Sequence, residues 1–150
     1  MATISTTQIL ENHFQSTGAN LQRFVADFAQ WKDAGSAGED DFYEFGKDSA
    51  YVAPRVNCEK NILRHVHIVP ILDENALKKW NRKWEQFGRR TSDRVLVYVN
   101  DGGDKFLLIA VLEEPDAHEI AEMKTQQHRE RMELFAQIAE EFIYNGKIIA

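Results

Sequence analysis

Apolar residues recur at intervals of three and four between Ala19 and Ala34, where Leu21, Phe24, Val25, Phe28 and Trp31 fall on one stripe. That spacing predicts an amphipathic helix closed by Gly35, and Thr6 to Phe14 predicts a shorter helix before it. From Gly35 to Pro54 the pattern dissolves into Gly, Ser and acids punctuated by Phe42, Tyr43, Phe45 and Tyr51, which reads as an irregular loop pinned by aromatics. ILRHVHIVPI is apolar and β-branched and closes at Pro70, predicting a strand of about six residues. Alternation puts His65, His67 and Val69 on one face and Val66 and Ile68 on the other.

Asp73 is an N-cap candidate for a helix through ENALKKWNRKWEQF that stops at Gly88. Leu77, Trp80, Trp84 and Phe87 are expected on one face of it, with the Lys and Arg residues on another. RVLVYV and FLLIAVL flank NDGGDK, whose residues favour the tight turn of an antiparallel hairpin. FLLIAVL is apolar on both faces, as a central strand would be. Asp116 is read as the cap of a final helix from Ala117 to Tyr144, with Ala121, Thr125, His128, Met132, Phe135, Ala139 and Phe142 on the stripe that packs toward the sheet. The expected fold class is α+β: a small antiparallel sheet with N-terminal helices and a long C-terminal helix packed on it. A length of 150 residues predicts one domain.

Charge changes this picture more than composition does. The net charge of −6 argues against a protein that coats nucleic acid non-specifically. Its distribution, however, is uneven. Lys78, Lys79, Arg82, Lys83, Arg89, Arg90 and Arg94 face only Glu85 and Asp93, a local +5, while acids dominate residues 39–48 and 113–141. One anion-facing patch on an acidic body is the reading that fits. Cys58 is the only cysteine, so no internal disulfide forms. The N-terminus lacks the basic start and apolar run of a secretory leader. LLIAVL is the longest apolar run and falls far short of the roughly 20 residues of a membrane span. A cytoplasmic protein without membrane association is expected.

Two histidines at HVHI can approach one ligand from the same strand face, a spacing used by metal sites, by general acid/base pairs and by purely structural histidines. The basic stretch has the chemistry to neutralise phosphates, and Trp80, Trp84 or Phe87 could stack on bases wherever one is exposed. No phosphate-cradling glycine motif, HExxH, GxSxG or CxxC is present, and no cofactor is called for. RNA needs none, because its 2′-OH is the nucleophile. A protein need only take that proton, stabilise the phosphorane and protonate the leaving 5′-oxygen.

The ordered blocks FGKD at 45–48, RHVHI at 64–68, RTSD with LVY at 90–98, LLIAVLEEPDAHEIA at 107–121, and QH with a later Met and Phe at 127–135 together resemble the YafO family of bacterial type II toxins. The resemblance runs from about residue 20 to 142 and leaves residues 1–19 as an extension. It implies a RelE-like architecture and a toxin that cleaves mRNA on the ribosome, inhibits translation, and is silenced by a cognate antitoxin. Residues that match its blocks and have suitable chemistry are His65, His67, Arg90, Thr91, Ser92, Asp93, Tyr98, His118 and His128.

Three readings remain open on the residues. The leading one is an endoribonuclease in which His65 or His67 transfers a proton and Arg90 positions phosphate, with Asp93, His118 and His128 as further catalytic candidates. Lys78, Lys79, Arg82, Lys83, Arg89, Arg94 and Tyr98 would bind the RNA. The second is a non-catalytic RNA- or ribosome-binding module with structural histidines. The third is a small metal-dependent enzyme built on the HVH pair.

Overall fold

The computed structural model describes residues 1–150. In chain order the elements are β1 (Thr3–Thr6), α1 (Gln8–Thr17), α2 (Leu21–Asp33), a 3₁₀ turn (Ser36–Gly38), β2 (Phe45–Ala50), β3 (Arg64–Ile68), α3 (Glu74–Glu85), β4 (Val95–Asn100), β5 (Lys105–Leu112), α4 (Ala117–Glu122) and α5 (Gln126–Asn145). The strands form one sheet in the order β1-β5-β4-β3-β2. Every pairing is antiparallel except that of β1, which lies parallel to β5. The α+β class expected from the sequence is the one observed.

The hairpin β4–β5 is buried on both faces, which is why its residues are almost continuously apolar. Leu96, Tyr98, Leu108 and Val111 pack with Val66 and Ile68 against Leu10, Phe14 and Phe28 of α1 and α2. Val95, Val97, Val99, Leu107, Ile109 and Leu112 pack on the other face against Ile120 of α4 and Met132, Phe135 and Ala139 of α5. A register shift at Val97/Tyr98 gives β5 one extra residue, so Ile109 and Ala110 join the same core. Buried Thr7 donates its hydroxyl to the Ile109 carbonyl at 2.5 Å and also accepts from Leu10 N–H at the start of α1. Residues 3–17 are thus part of the sheet and core rather than an appendage.

Three expectations need correction. The segment read as loop contains β2, a strand with buried Phe45 and Gly46 at one end and half-exposed residues along the rest of the sheet edge. The final helix is two helices, broken where Met123 adopts φ +55 and restarted by Thr125, whose hydroxyl caps His128 N–H. Asp116 makes no side-chain cap; Asp93 does that work from another loop, accepting from His118 N–H at 2.7 Å. Asp73 does cap α3, accepting from Asn75 and Ala76.

α3 lies beside the β2 edge, and a buried arginine ties it there. Arg90 is 0% exposed, with its guanidinium carbon 5.4 Å from the Trp80 ring centre and 4.8 Å from that of Trp84. Its Nη2 donates to the carbonyls of Phe42 and Phe45, each at 2.6 Å. Trp80 donates its indole N–H to the Tyr43 carbonyl. Gly46 is pressed into the same assembly: a Cβ there would collide with the Arg90 carbonyl and stand 2.8 Å from the Trp80 ring. Gly46→Ala is therefore expected to destabilise the fold at the upper end of the roughly 1–3 kcal/mol typical of overpacking. Urea denaturation would show this as a lowered midpoint, and an unchanged midpoint would contradict the packing described.

Candidate active site and basic groove

β3 carries its two histidines onto the face shared with Val95 and Val97, opposite Val66 and Ile68, as alternation predicts. There they line a cleft of about 280 Å³ with Tyr51, Ser92, Asp93 and His118. That is just below the roughly 300–1,000 Å³ of small-molecule pockets, so the cleft admits a reacting group rather than a length of chain.

His67 is the best-defined member. Its Nδ1 lies 2.6 Å from the Ser92 carbonyl and 3.1 Å from the Ser92 N–H; the shorter contact is to a group that only accepts, which favours the tautomer with the proton on Nδ1 and Nε2 unprotonated. Burial holds its pKa below the ordinary histidine value, and nearby Lys47 and His118 act in the same direction, against the Ser92 hydrogen bond and Asp93. His65 stacks on the buried Tyr51 ring at 4.1 Å between centres. Burial, reinforced by His67, pushes its pKa down to about 4. Its Nε2 is 3.3 Å from the Ser49 hydroxyl, and its buried Nδ1 has no partner. Both imidazoles are therefore neutral at physiological pH. His118 is 81% exposed, with its Nε2 3.1 Å from a Glu122 carboxylate oxygen.

Asp93 joins these parts. Its carboxylate caps the first turn of α4 and thereby sets His118 on the cleft rim. Lys47, in the FGKD block, had no role in the sequence reading, yet its charge reaches both imidazoles from the adjoining strand. No group of three or more His, Cys, Asp or Glu side chains is arranged to hold a metal ion, so the HVH pair gains no third ligand.

Other residues expected at the site lie elsewhere. Arg90 is in the tryptophan clamp and does not reach the cleft. His128 is half-buried on α5 outside the cleft. Arg94 pairs with Glu113 and donates to the Val69 carbonyl. Tyr98 is buried on the opposite sheet face, donating to Asp48 at 2.7 Å and accepting from Lys32 and Arg64. Burial among those charges raises its pKa, while burial lowers that of Lys32.

Lys79, Arg82, Lys83, Arg89 and Thr91 line a second depression of about 260 Å³, floored by Trp80. Lys78 is exposed on the same helix without lining it. Trp84 turns toward Arg90, whereas Phe87 departs from the expected shared face: it lies beyond the helix end and is 84% exposed. Groove and cleft adjoin along the chain, since Arg89 and Thr91 line one and Ser92 and Asp93 the other.

The buried imidazoles make stability pH-dependent. Their folded pKa values lie below the unfolded value near 6.5, so protons favour the unfolded chain. Their stabilising contribution is full above about pH 6.5 and is lost as pH falls toward 4, the value for His65. Urea midpoints measured from pH 7.5 to 4.5 should fall, and His65→Gln, which cannot take the proton, should flatten that fall. An identical slope in the variant would show that His65 does not carry it.

No helix is long and apolar enough to cross a membrane. No curated protein and no solved structure matches the chain. The family model described as toxin YafO of a type II toxin-antitoxin system matches residues 29–144, most of the chain and every residue of the cleft named above. The chain belongs to the YafO family of toxins of type II toxin-antitoxin systems, a membership that implies a cognate antitoxin as partner.

Proposed function

We propose that this toxin is an endoribonuclease that cuts mRNA on the ribosome and so inhibits translation, acting in the cytoplasm until its antitoxin binds. The observation that carries this reading is the state of His67: a neutral imidazole whose close contact with the Ser92 carbonyl favours the tautomer that leaves Nε2 to accept a proton. That is the condition a general base needs near neutral pH.

On this reading His67 Nε2 removes the proton from a ribose 2′-OH. The 2′-oxygen attacks the adjacent phosphorus, the bond to the 5′-oxygen breaks, and a 2′,3′-cyclic phosphate is left on the upstream fragment. The departing 5′-oxygen takes a proton from His118, which stands on the cleft rim with Glu122 at 3.1 Å. Lys47 supplies positive charge to the phosphorane from the β2 side. His65 and Tyr51 form the wall against which the ribose is placed. The basic groove on α3 holds the flanking strand by its phosphates, its cations spared from internal pairing and open to solvent. Arg90 enters only as the scaffold beneath that groove.

Mapping of new RNA 5′ ends after induced expression, in translated and untranslated messages, tests the reading. Ends confined to translated regions are expected with the wild-type chain. His67→Ala should reduce cleavage of a ribosome-bound message by about 10²- to 10⁴-fold, the usual range for removing a general acid or base. Its folded fraction should be checked by circular dichroism. The acid limb of kcat/KM should fall below pH 6.5, because the base is lost as pH drops through its lowered pKa. Undiminished cleavage in both His67→Ala and His118→Ala would remove the cleft from the mechanism. RNA binding without cleavage by the wild-type chain would favour the binding-module reading.

A further inference from the structure

Phe87 occupies a position that packing does not explain. It is 84% exposed, more than any other large apolar side chain except the N-terminal Met1. Its backbone sits at φ +55, a left-handed conformation that glycine adopts freely and a bulky residue resists. Helices commonly end on such a residue, usually glycine, and here Gly88 stands one position too late to fill it. The chain is held in this turn by Phe87 N–H to the Trp84 carbonyl at 3.2 Å and Gly88 N–H to the Lys83 carbonyl at 2.8 Å. Both the ring's exposure and its backbone are therefore unfavourable for the folded chain alone.

The surroundings indicate what would meet the ring. Lys83 and Arg89 flank it on either side of the turn, and both line the basic groove. Glu85 and Gln86 beside it are exposed, so no apolar shelf surrounds the ring to receive a protein partner's side chains. A nucleobase needs no such shelf: it stacks on an open ring while its neighbouring phosphates meet cations, a combination typical of single-strand binding sites.

We propose that Phe87 is a base-stacking platform for single-stranded RNA, with Lys83 and Arg89 gripping the phosphates on either side. The inference takes its ligand class from the ribonucleolytic reading and is independent of the chemistry in the histidine cleft. It assigns to the toxin a contact with one unpaired base, between Lys83 and Arg89 of the groove in the chain segment that continues through Thr91 to Ser92 of the cleft.

The test uses a fluorescent single-stranded oligonucleotide with 2′-O-methyl riboses, which cannot be cut by 2′-OH attack, and its duplex form, with binding followed by anisotropy across a salt series. Phe87→Gly should weaken single-strand binding by about ten-fold or more, as expected for one lost stacking contact. It should leave duplex binding and the salt slope unchanged, because no charge is removed. Phe87→Trp should retain binding, and Arg89→Gln should reduce the salt slope by about 0.7. The urea midpoint of Phe87→Gly should equal or exceed that of the wild type, since the left-handed backbone is relieved. Several results would overturn the proposal: no measurable binding of the oligonucleotide by the wild type, unchanged binding in Phe87→Gly, or equal losses on single strand and duplex. Unchanged oligonucleotide binding with lost antitoxin binding would assign the ring to the protein partner instead. Because the oligonucleotide cannot be cleaved, failure of His67→Ala to affect cleavage would leave these outcomes readable.

Discussion

Burial of the Arg90 guanidinium fixes the relation between the basic helix and the sheet, and both candidate functional surfaces depend on that relation. No carboxylate neutralises the group directly. Two carbonyl hydrogen bonds and two indole rings surround it, and Nε and Nη1 find no partner. Desolvated cation–π contacts are worth up to about 2 kcal/mol or more each, and hydrogen bonds to a charged group about 1.5–3 kcal/mol. These contributions stand against the several kcal/mol of desolvating an ion and the roughly 1–3 kcal/mol attached to each of the two unsatisfied nitrogens, so each of them matters. The next three residues then diverge: Thr91 to the groove, Ser92 to β3, Asp93 to α4. The Ser92 hydroxyl donates to the Ile68 carbonyl and its own carbonyl holds His67, so the segment anchored by Arg90 also favours one tautomer at the cleft.

The acidic net charge and a basic working face coexist because internal pairing takes up cations elsewhere and leaves those of α3 free. Asp48 is paired with Lys32 and Arg64, Glu113 with Arg94 and His13, and Glu122 with Lys124 and His118. At physiological ionic strength charges are screened over about 8 Å, so an incoming phosphate responds to the local surface more than to the whole-chain sum. Lys78, Lys79, Arg82, Lys83 and Arg89 are exposed and make no such pairs. Glu44, beside Asp27, shows the reverse situation: burial and a hydrogen bond with that neighbouring carboxyl raise its pKa to about 8, which removes a further negative charge near neutrality.

What could be read from the sequence follows from how local each signal is. Alternation placed His65 and His67 on the correct face, and the β4–β5 hairpin was legible from NDGGDK between apolar runs. β1 and β2 were not, because TIST and FGKDSA are short edge strands whose pairing comes from distant partners rather than from their own pattern. The break between α4 and α5 was masked by an apolar stripe that continues through Thr125, although a threonine cap was present to mark it. Arg90 was misplaced for a different reason. An arginine within a basic run reads as solvent-facing unless Phe42, Phe45, Trp80 and Trp84 are known to enclose it, and those contacts span up to 48 residues. Asp93 and His118 were individually legible as candidates, but their meeting across 25 residues was not. Lys47 carried no signal of its own beyond its block.

The depressed histidines also bear on when the cleft becomes reactive. An imidazole held below its ordinary pKa is unprotonated near neutrality but weakly basic, and proton transfer is most effective when the acceptor's pKa lies near the working pH. On the ribonucleolytic reading, a phosphate entering the cleft brings the opposite charge, which favours the protonated imidazole and raises the pKa of His67 toward its ordinary value. The Ser92 carbonyl, which accepts from Nδ1–H, already acts in that direction. Burial would keep the base free of a proton while the cleft is empty, and the substrate's own charge would make it a stronger acceptor on arrival. His65, lowered further and without a carbonyl partner, lacks the second half of this arrangement. On the ribonucleolytic reading, that difference favours His67 over His65 for proton transfer and leaves His65 as the stacked neutral wall beside it.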